Sequence, residues 1–212
     1  MSKNQSVIAF GAHPDDLEIG MGGTLAKLAR MDYDVNMVIA TLPNFVKTDT
    51  KEQRRMEATM SAKTLGCKSP QFLDLPPDAI TIGRKFVNII DEIIHKHEQA
   101  TVFTQWIGDS HQDHQALTRA VIAASRDCNN LLMYETTIPG GLTESAFRPQ
   151  LYIDITETLK MKSNALECFH SQKNNRCGNF WIDAVVGRCS YRGYQMNVKY
   201  AEAFEVIKVT KW

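Results

Sequence analysis

Two short clusters hold most of the reactive side chains of this 212-residue chain. The first is Ala12-His13-Pro14-Asp15-Asp16-Leu17-Glu18, and the second, far along the chain, is His111-Gln112-Asp113-His114. His13 and Asp16 are spaced to share one side of a helical turn, which turns Asp15 elsewhere. His111, Asp113 and His114 crowd a second junction of the same kind. Two histidines and one carboxylate make a three-ligand set that leaves a fourth position open on zinc. Such an ion lowers the pKa of water to about 7 and polarises a carbonyl. A carboxylate left over can take the water's proton. A histidine left over can stabilise an oxyanion or protonate a leaving group. The inventory fits metal-assisted hydrolysis of an amide or ester, with no separate nucleophile. Taken singly, Asp15 or Asp16 reads as a helix cap and a loop histidine as a solvated surface residue. Their concurrence at two predicted strand ends favours a metal site. The donor set suits Zn2+ and would accept Fe2+, Co2+ or Mn2+.

The elements that must position these residues alternate. Val7 to Ala12 is a short apolar strand, and Leu17 to Arg30 a helix capped by Asp15 or Asp16 and softened by Gly20, Gly22 and Gly23. Val35 to Thr41 and Gln71 to Leu73 read as strands, with a helix from Lys51 to Leu65 stopped by Gly66. Ile82 to His97 is strongly periodic, with Phe86, Ile89, Ile90, Ile93 and Ile94 on one face. Thr101 to Thr104 is a strand, Gln105 to Asp113 a loop, His114 to Ser125 a helix and Leu131 to Tyr134 a strand. This alternation predicts βαβ units: an α/β, Rossmann-like, mostly parallel sheet with helices on both faces and the site at the C-terminal ends of the strands. Past Thr136 the pattern loosens. Leu151 to Ile155 reads as an edge strand, Thr158 to Phe169 as a helix, Gln172 to Arg188 is not placed, and Val198 to Val209 closes the fold.

Composition narrows the function. No Pro/Gly/Ser-rich linker divides the chain, so residues 1–212 read as one domain. Lys plus Arg (24) equal Asp plus Glu (24), so no net field draws nucleic acid or an anionic membrane. The chain opens without a signal-peptide pattern and carries no apolar run of the roughly 20 residues that span a bilayer. Five cysteines, an odd number without a C-x-x-C, argue against a zinc knuckle or a full disulfide framework and point to a reducing, cytoplasmic setting. A nucleotide-binding reading of Gly20-Met21-Gly22-Gly23 fails, because Leu25 stands where G-x-G-x-x-G needs its third glycine. Two aspartates ahead of that helix would also repel a phosphate.

The sequence resembles the LmbE-like (PIG-L-like) deacetylase family. Ala12 to Glu18 matches A-H-P-D-D-x-E, followed by Gly-Gly-Thr-Leu, and His111 to His114 matches H-x-D-H. Arg54-Arg55-Met56-Glu57 with Leu65-Gly66 matches an R-x-x-E helix ending in Leu-Gly. His170-Ser171-Gln172 and Tyr200-Ala201-Glu202-Ala203-Phe204 resemble the family's later motifs, in the expected order. The resemblance implies a Rossmann-like fold and zinc-dependent removal of an acyl group, usually acetyl, from an amino sugar. It implies that His13, Asp16 and His114 bind zinc, with Asp15 as general base. It implies that His111 stabilises the oxyanion and protonates the amine, with Asp15 as the alternative proton carrier, and that Asp113 orients an imidazole.

Arg54 matches a substrate-contacting position, and Asp78, after Pro76-Pro77, is a candidate for a sugar hydroxyl. Two departures stand out. Gln112 replaces the frequent proline of H-P-D-H, and Asp109 stands near where some relatives carry an oxyanion tyrosine. Tyr194, beside Arg192-Gly193, is a candidate replacement. The expected partner is a small amino-sugar substrate. The open alternatives are another N-acyl conjugate (a sugar-thiol, a glycan precursor or an antibiotic intermediate) and a non-catalytic metal- or carbohydrate-binding module. Val206 to Trp212 could serve a homo-oligomer interface or be the last strand of the core.

Overall fold

The computed structural model describes residues 5–42, 50–76, 79–97, 100–136, 141, 143, 145–175 and 180–211. Among them one seven-stranded sheet runs in the order β3-β2-β1-β4-β5-β7-β6. Its strands are β1 (Ser6–Gly11), β2 (Asp34–Ile39), β3 (Gln71–Phe72), β4 (Thr101–Gln105), β5 (Asn130–Tyr134), β6 (Leu151–Asp154) and β7 (Ala201–Val209). The first five are parallel, while β7 is antiparallel to both β5 and β6. The expected α/β class and mostly parallel sheet are therefore found. Val206 to Val209 belong to β7, in the interior of the strand order, and β6 is the edge strand anticipated near Leu151.

The helices are α1 (Asp16–Arg30), α2 (Lys51–Thr64), α3 (Arg84–His95), α4 (Gln112–Ala124), α5 (Leu159–Glu167), α6 (His170–Asn175) and α7 (Phe180–Gln195). Alternation along β1 decides which face each side chain serves. Ile8 and Phe10 pack with Phe86, Ile90 and Ile93 of α3 and with Leu117 and Val121 of α4. Val7 and Ala9 pack with Leu17, Met21 and Leu25 of α1, Ala62 of α2 and Ala165 of α5. Helices thus cover both faces, as a parallel sheet demands. α4 begins two residues ahead of the expected His114, with His111 as its N-cap. The described residues of the unplaced stretch belong to α6 and α7, and Trp181, Ile182 and Val185 of α7 join Phe169, Leu166 and Ile39 in a third apolar cluster.

α1 is broken. Met21 leaves helical geometry (φ −146°, ψ 21°), which divides the helix into two pieces. The new N-terminus is capped by Glu202 of β7, whose carboxylate accepts from Gly23 N (2.9 Å) and Thr24 N (2.7 Å). The old C-terminus is capped by cations: Lys162 Nζ and Arg188 Nη2 both donate to Ile19 O, at 2.9 and 2.8 Å. Lys162 also pairs with Glu202. Each end thus receives the charge its dipole favours. A Cβ on Gly20 would lie 2.1 Å from the Tyr134 ring, so glycine lets this helix sit close on the sheet.

Candidate active site

The strand order reverses between β1 and β4: the chain steps outward from β1 to β2 and β3, then crosses to β4 and β5 on the other side. Loops leaving the carboxyl ends of two such strands diverge and open a crevice. Both sequence clusters lie on the segments that leave these two ends, Ala12 directly after Gly11 and His111 six residues after Gln105. Gln105 ties the loops together: its Oε1 accepts from Ala12 N (3.0 Å) and its Nε2 donates to Asp16 Oδ2 (2.9 Å).

The histidines converge. His13 Nδ1 and His114 Nε2 face each other at 3.2 Å, and Asp16 Oδ1 lies 3.2 Å from His114 Nε2. Each of these imidazoles has a carboxylate on its far nitrogen: Asp113 Oδ2 is 2.9 Å from His13 Nε2, and Asp109 Oδ2 is 2.9 Å from His114 Nδ1. With a ring N–H directed to each carboxylate, the two facing nitrogens can share one proton or one cation between them. Asp16 has committed Oδ2 to His13 N (2.7 Å) and to Gln105, which leaves Oδ1 for the same point.

The charges follow from this packing. Burial would raise the Asp16 carboxyl, but the His114 charge and hydrogen bond, with His13 beside it, hold it well below the usual range. Burial would lower His114, yet Asp16 and Asp109 outweigh it and push the imidazole up to about 10. Burial lowers His111 to about 4, aided by His13 and His114. Burial would likewise raise Asp113, but its hydrogen bond and attraction to His13 keep it low. Glu18, behind the site, is raised to about 7 by burial, although Ser61 donates to its Oε1 at 2.7 Å.

His111 stacks on His114, with ring centroids 4.6 Å apart, and its Nδ1 accepts the Asp113 N–H at 3.2 Å. The neutral tautomer compatible with that bond carries its proton on Nε2. A ligand atom from each of His13, His111 and His114 fits within 4.8 Å, so this cluster could hold a metal.

Asp15 sits apart from the imidazole contacts described above, in left-handed geometry (φ 99°), with Arg54 Nη2 3.8 Å from its Oδ2. Arg54, expected at the substrate, is 3 % exposed and donates to Pro14 O at 2.9 Å. Tyr194 is 82 % exposed near the end of α7, and its hydroxyl makes no hydrogen bond among the described residues. Asp78 lies outside the described residues. The structure thus brings His13, Asp15, Asp16, His111, Asp113 and His114 to one place, with Arg54 behind them, and leaves Tyr194 in solvent.

The roles of two residues escaped the sequence reading. Gln105 is a fully buried amide at the end of an apolar strand, and such a polar side chain must have partners. Asp109 is also buried, and besides its bond to His114 it accepts from His111 N at 2.9 Å. Its place on the loop immediately ahead of the second histidine motif was the available signal.

Comparison with known proteins identifies the family. The profile of the PIG-L family, GlcNAc-PI de-N-acetylase, matches residues 8–125, which contain both clusters. The chain is 31 % identical over 162 residues to YaiS of Escherichia coli (strain K12), an uncharacterized deacetylase, covering 74 % of this chain and 85 % of that one. It is similar in fold to the N,N'-diacetylchitobiose deacetylase of Pyrococcus horikoshii, solved with its inhibitor: TM-score 0.81 at 24 % identity, covering 96 % of this chain and 84 % of that one. GalB, the 4-carboxy-2-hydroxymuconate hydratase of Pseudomonas putida, shares the fold with a TM-score of 0.77 at 18 % identity, over 98 % of this chain and 99 % of that one. One fold therefore carries more than one reaction, and the identity of this chain rests on the family match. The chain belongs to the PIG-L (LmbE-like) family of de-N-acetylases.

Proposed function

We propose that this chain hydrolyses the acetamide of an N-acetylated amino sugar or amino-sugar conjugate with a zinc ion held by His13 Nδ1, Asp16 Oδ1 and His114 Nε2. The observation that supports the site is the facing pair of imidazole nitrogens, each backed by a carboxylate. Their 3.2 Å separation, and that from His114 Nε2 to Asp16 Oδ1, suit a tetrahedral zinc, whose bonds of about 2.0–2.1 Å put neighbouring ligand atoms about 3.3 Å apart. Asp113 and Asp109 supply the carboxylate–histidine pairing that fixes ring orientation at metal sites.

When bound, the zinc ion supplies a Lewis acid that polarises the acetyl carbonyl and acidifies water. The protein does the rest. Asp15 accepts the proton of the attacking water and delivers it to the nitrogen as the C–N bond breaks, which leaves acetate and a free amine. His111, kept neutral at physiological pH with its proton on Nε2, donates to the carbonyl oxygen as negative charge develops there. A neutral imidazole is a hydrogen-bond donor but a poor acid, so its state favours Asp15 over His111 as the proton carrier to the amine.

The test is metal content paired with acetate release. The protein is purified without added metal, its metals are quantified, and acetate is assayed from N-acetylglucosamine, diacetylchitobiose and related conjugates with and without chelator. About one zinc per chain and chelator-sensitive release are expected. Zinc without release from any substrate would sink the proposed substrate class. No bound metal after reconstitution would sink the ligand set.

A further inference from the structure

A small cavity lies where the break in α1 meets α5, α7 and β7. It measures about 10 Å³, the room that one water-sized occupant needs. Three cations line it, Lys162, Arg188 and Arg192, together with the carboxylates of Glu135 and Glu202. Gly20 forms another part of the wall. Beside it lies the hydroxyl of Thr136, 3.0 Å from where a Gly20 Cβ would stand. That hydroxyl is buried and has no hydrogen-bond partner among the described residues.

The charges around this cavity do not cancel. Glu135 accepts Arg192 Nε at 2.9 Å and Nη2 at 2.6 Å, one on each oxygen, and Arg192 Nη1 turns to Gln195 Oε1 at 3.0 Å. Glu202 accepts Gly23 N and Thr24 N and pairs with Lys162, whose side chain is fully buried. Both carboxylates are thus committed. Arg188 has no carboxylate: among the described residues its one hydrogen bond runs from Nη2 to Ile19 O at 2.8 Å, the carbonyl that Lys162 Nζ also reaches at 2.9 Å. A guanidinium carries five N–H donors, so donors outnumber acceptors here and one positive charge is left over. Water would satisfy the donors and leave the charge. An anion answers both needs, because a half-buried cation is stabilised by a partner of opposite sign. The volume excludes acetate, phosphate and any sugar. We propose that this cavity binds one monatomic, monovalent anion, chloride in ordinary buffers, between Lys162 and Arg188. The ion would join α5 and α7 to the end of the first half of α1, and the proposal stands independently of the deacetylase reading.

Halide binding to the full-length protein as purified tests it. Thermal unfolding is followed in sodium chloride and in sodium gluconate at equal ionic strength, gluconate being too large for the cavity. A saturable rise in Tm of about 2–6 °C is expected with chloride over gluconate. Arg188→Gln removes the surplus charge while keeping a donor for Ile19 O, and the chloride-specific rise should vanish in it. Crystals grown in bromide should show an anomalous peak between Lys162 and Arg188. Equal rises in the two salts, or a chloride-specific rise that survives in Arg188→Gln, would overturn the proposal. So would bromide crystals without a peak at that point, and this measurement on the parent protein decides the matter if Arg188→Gln fails to fold.

Discussion

The loop after β1 and the loop after β4 contribute to one site in opposite ways. The β4 loop is largely self-supporting. His111 caps α4, Asp109 accepts His111 N and braces His114, and Gly108 lets the backbone lie on the Trp106 ring, where a Cβ would come within 2.2 Å. The β1 loop is strained and held from outside, by Gln105 on one side and by Arg54 with Ser171 on the other. The difference matches what each loop carries. A ligand such as the one proposed at His114, held by its own loop, needs only rigidity, whereas the proton transfer proposed for Asp15 needs an exact position that no regular helix start provides.

The comparison can be broken most completely at the ligands. His13→Ala and His114→Ala should each reduce bound metal from about one per chain to near none, as expected when one of three protein ligands is lost; metal retained in either variant would remove that residue from the ligand set. Asp15→Asn is next. It should keep its metal and lose about 10²–10⁴-fold in kcat, which would place proton transfer on the β1 loop, and full turnover would refute that placement. The braces come third. Asp109→Asn and Asp113→Asn should each weaken metal affinity about 10–100-fold by chelator competition, and equal effects would show that either loop is as dependent on its carboxylate as the other.

The remaining prediction concerns pH and stability rather than the metal. Glu18 has its folded-state value raised to about 7, so between its ordinary 4.5 and that value the folded chain binds a proton the unfolded chain has released. Stability conferred by that protonated group is complete below about 4.5 and declines as pH rises through 7, by something on the order of 3 kcal/mol. His114 works in the same direction in the metal-free protein, with its stabilisation lost as pH rises through about 10. Chemical denaturation of the metal-free protein across this range should show Glu18→Gln flattening the decline between pH 4.5 and 7, and a parallel curve would show that Glu18 does not cause it.

The His/Asp cluster was legible because its members come in two short sequence runs at strand ends, where the fold brings strand ends together. The alternation of apolar runs likewise gave β1 through β5 and the helices between them. α7 was not legible: Trp181, Val185 and Val186 mix with Gly187 and Gly193, and a helix of such weak intrinsic preference is stabilised by packing against Phe169 and Leu166 rather than by its own composition. The roles of Asp109 and Gln105 were hidden for a different reason. Gln105 acts through partners on another segment, and a lone polar residue carries no mark of a bond across 93 positions, while Asp109 bonds His111 and His114 from just ahead of their motif rather than from within it. Arg54 shows the converse, since its motif announced importance without saying which way the guanidinium points.

The break in α1 bears on how much of the chain is needed to make a site. The family match ends at residue 125, and every proposed metal ligand lies before that point. Yet the second half of α1 starts on the carboxylate of Glu202, and the first half ends on Lys162 and Arg188. A fragment ending at 125 would leave both helix ends bare inside an apolar layer, at the segment that aims Asp16. The ligands and the last strand therefore belong to one cooperative unit, and the site should be lost together with β7 in a single transition instead of surviving as an N-terminal subdomain.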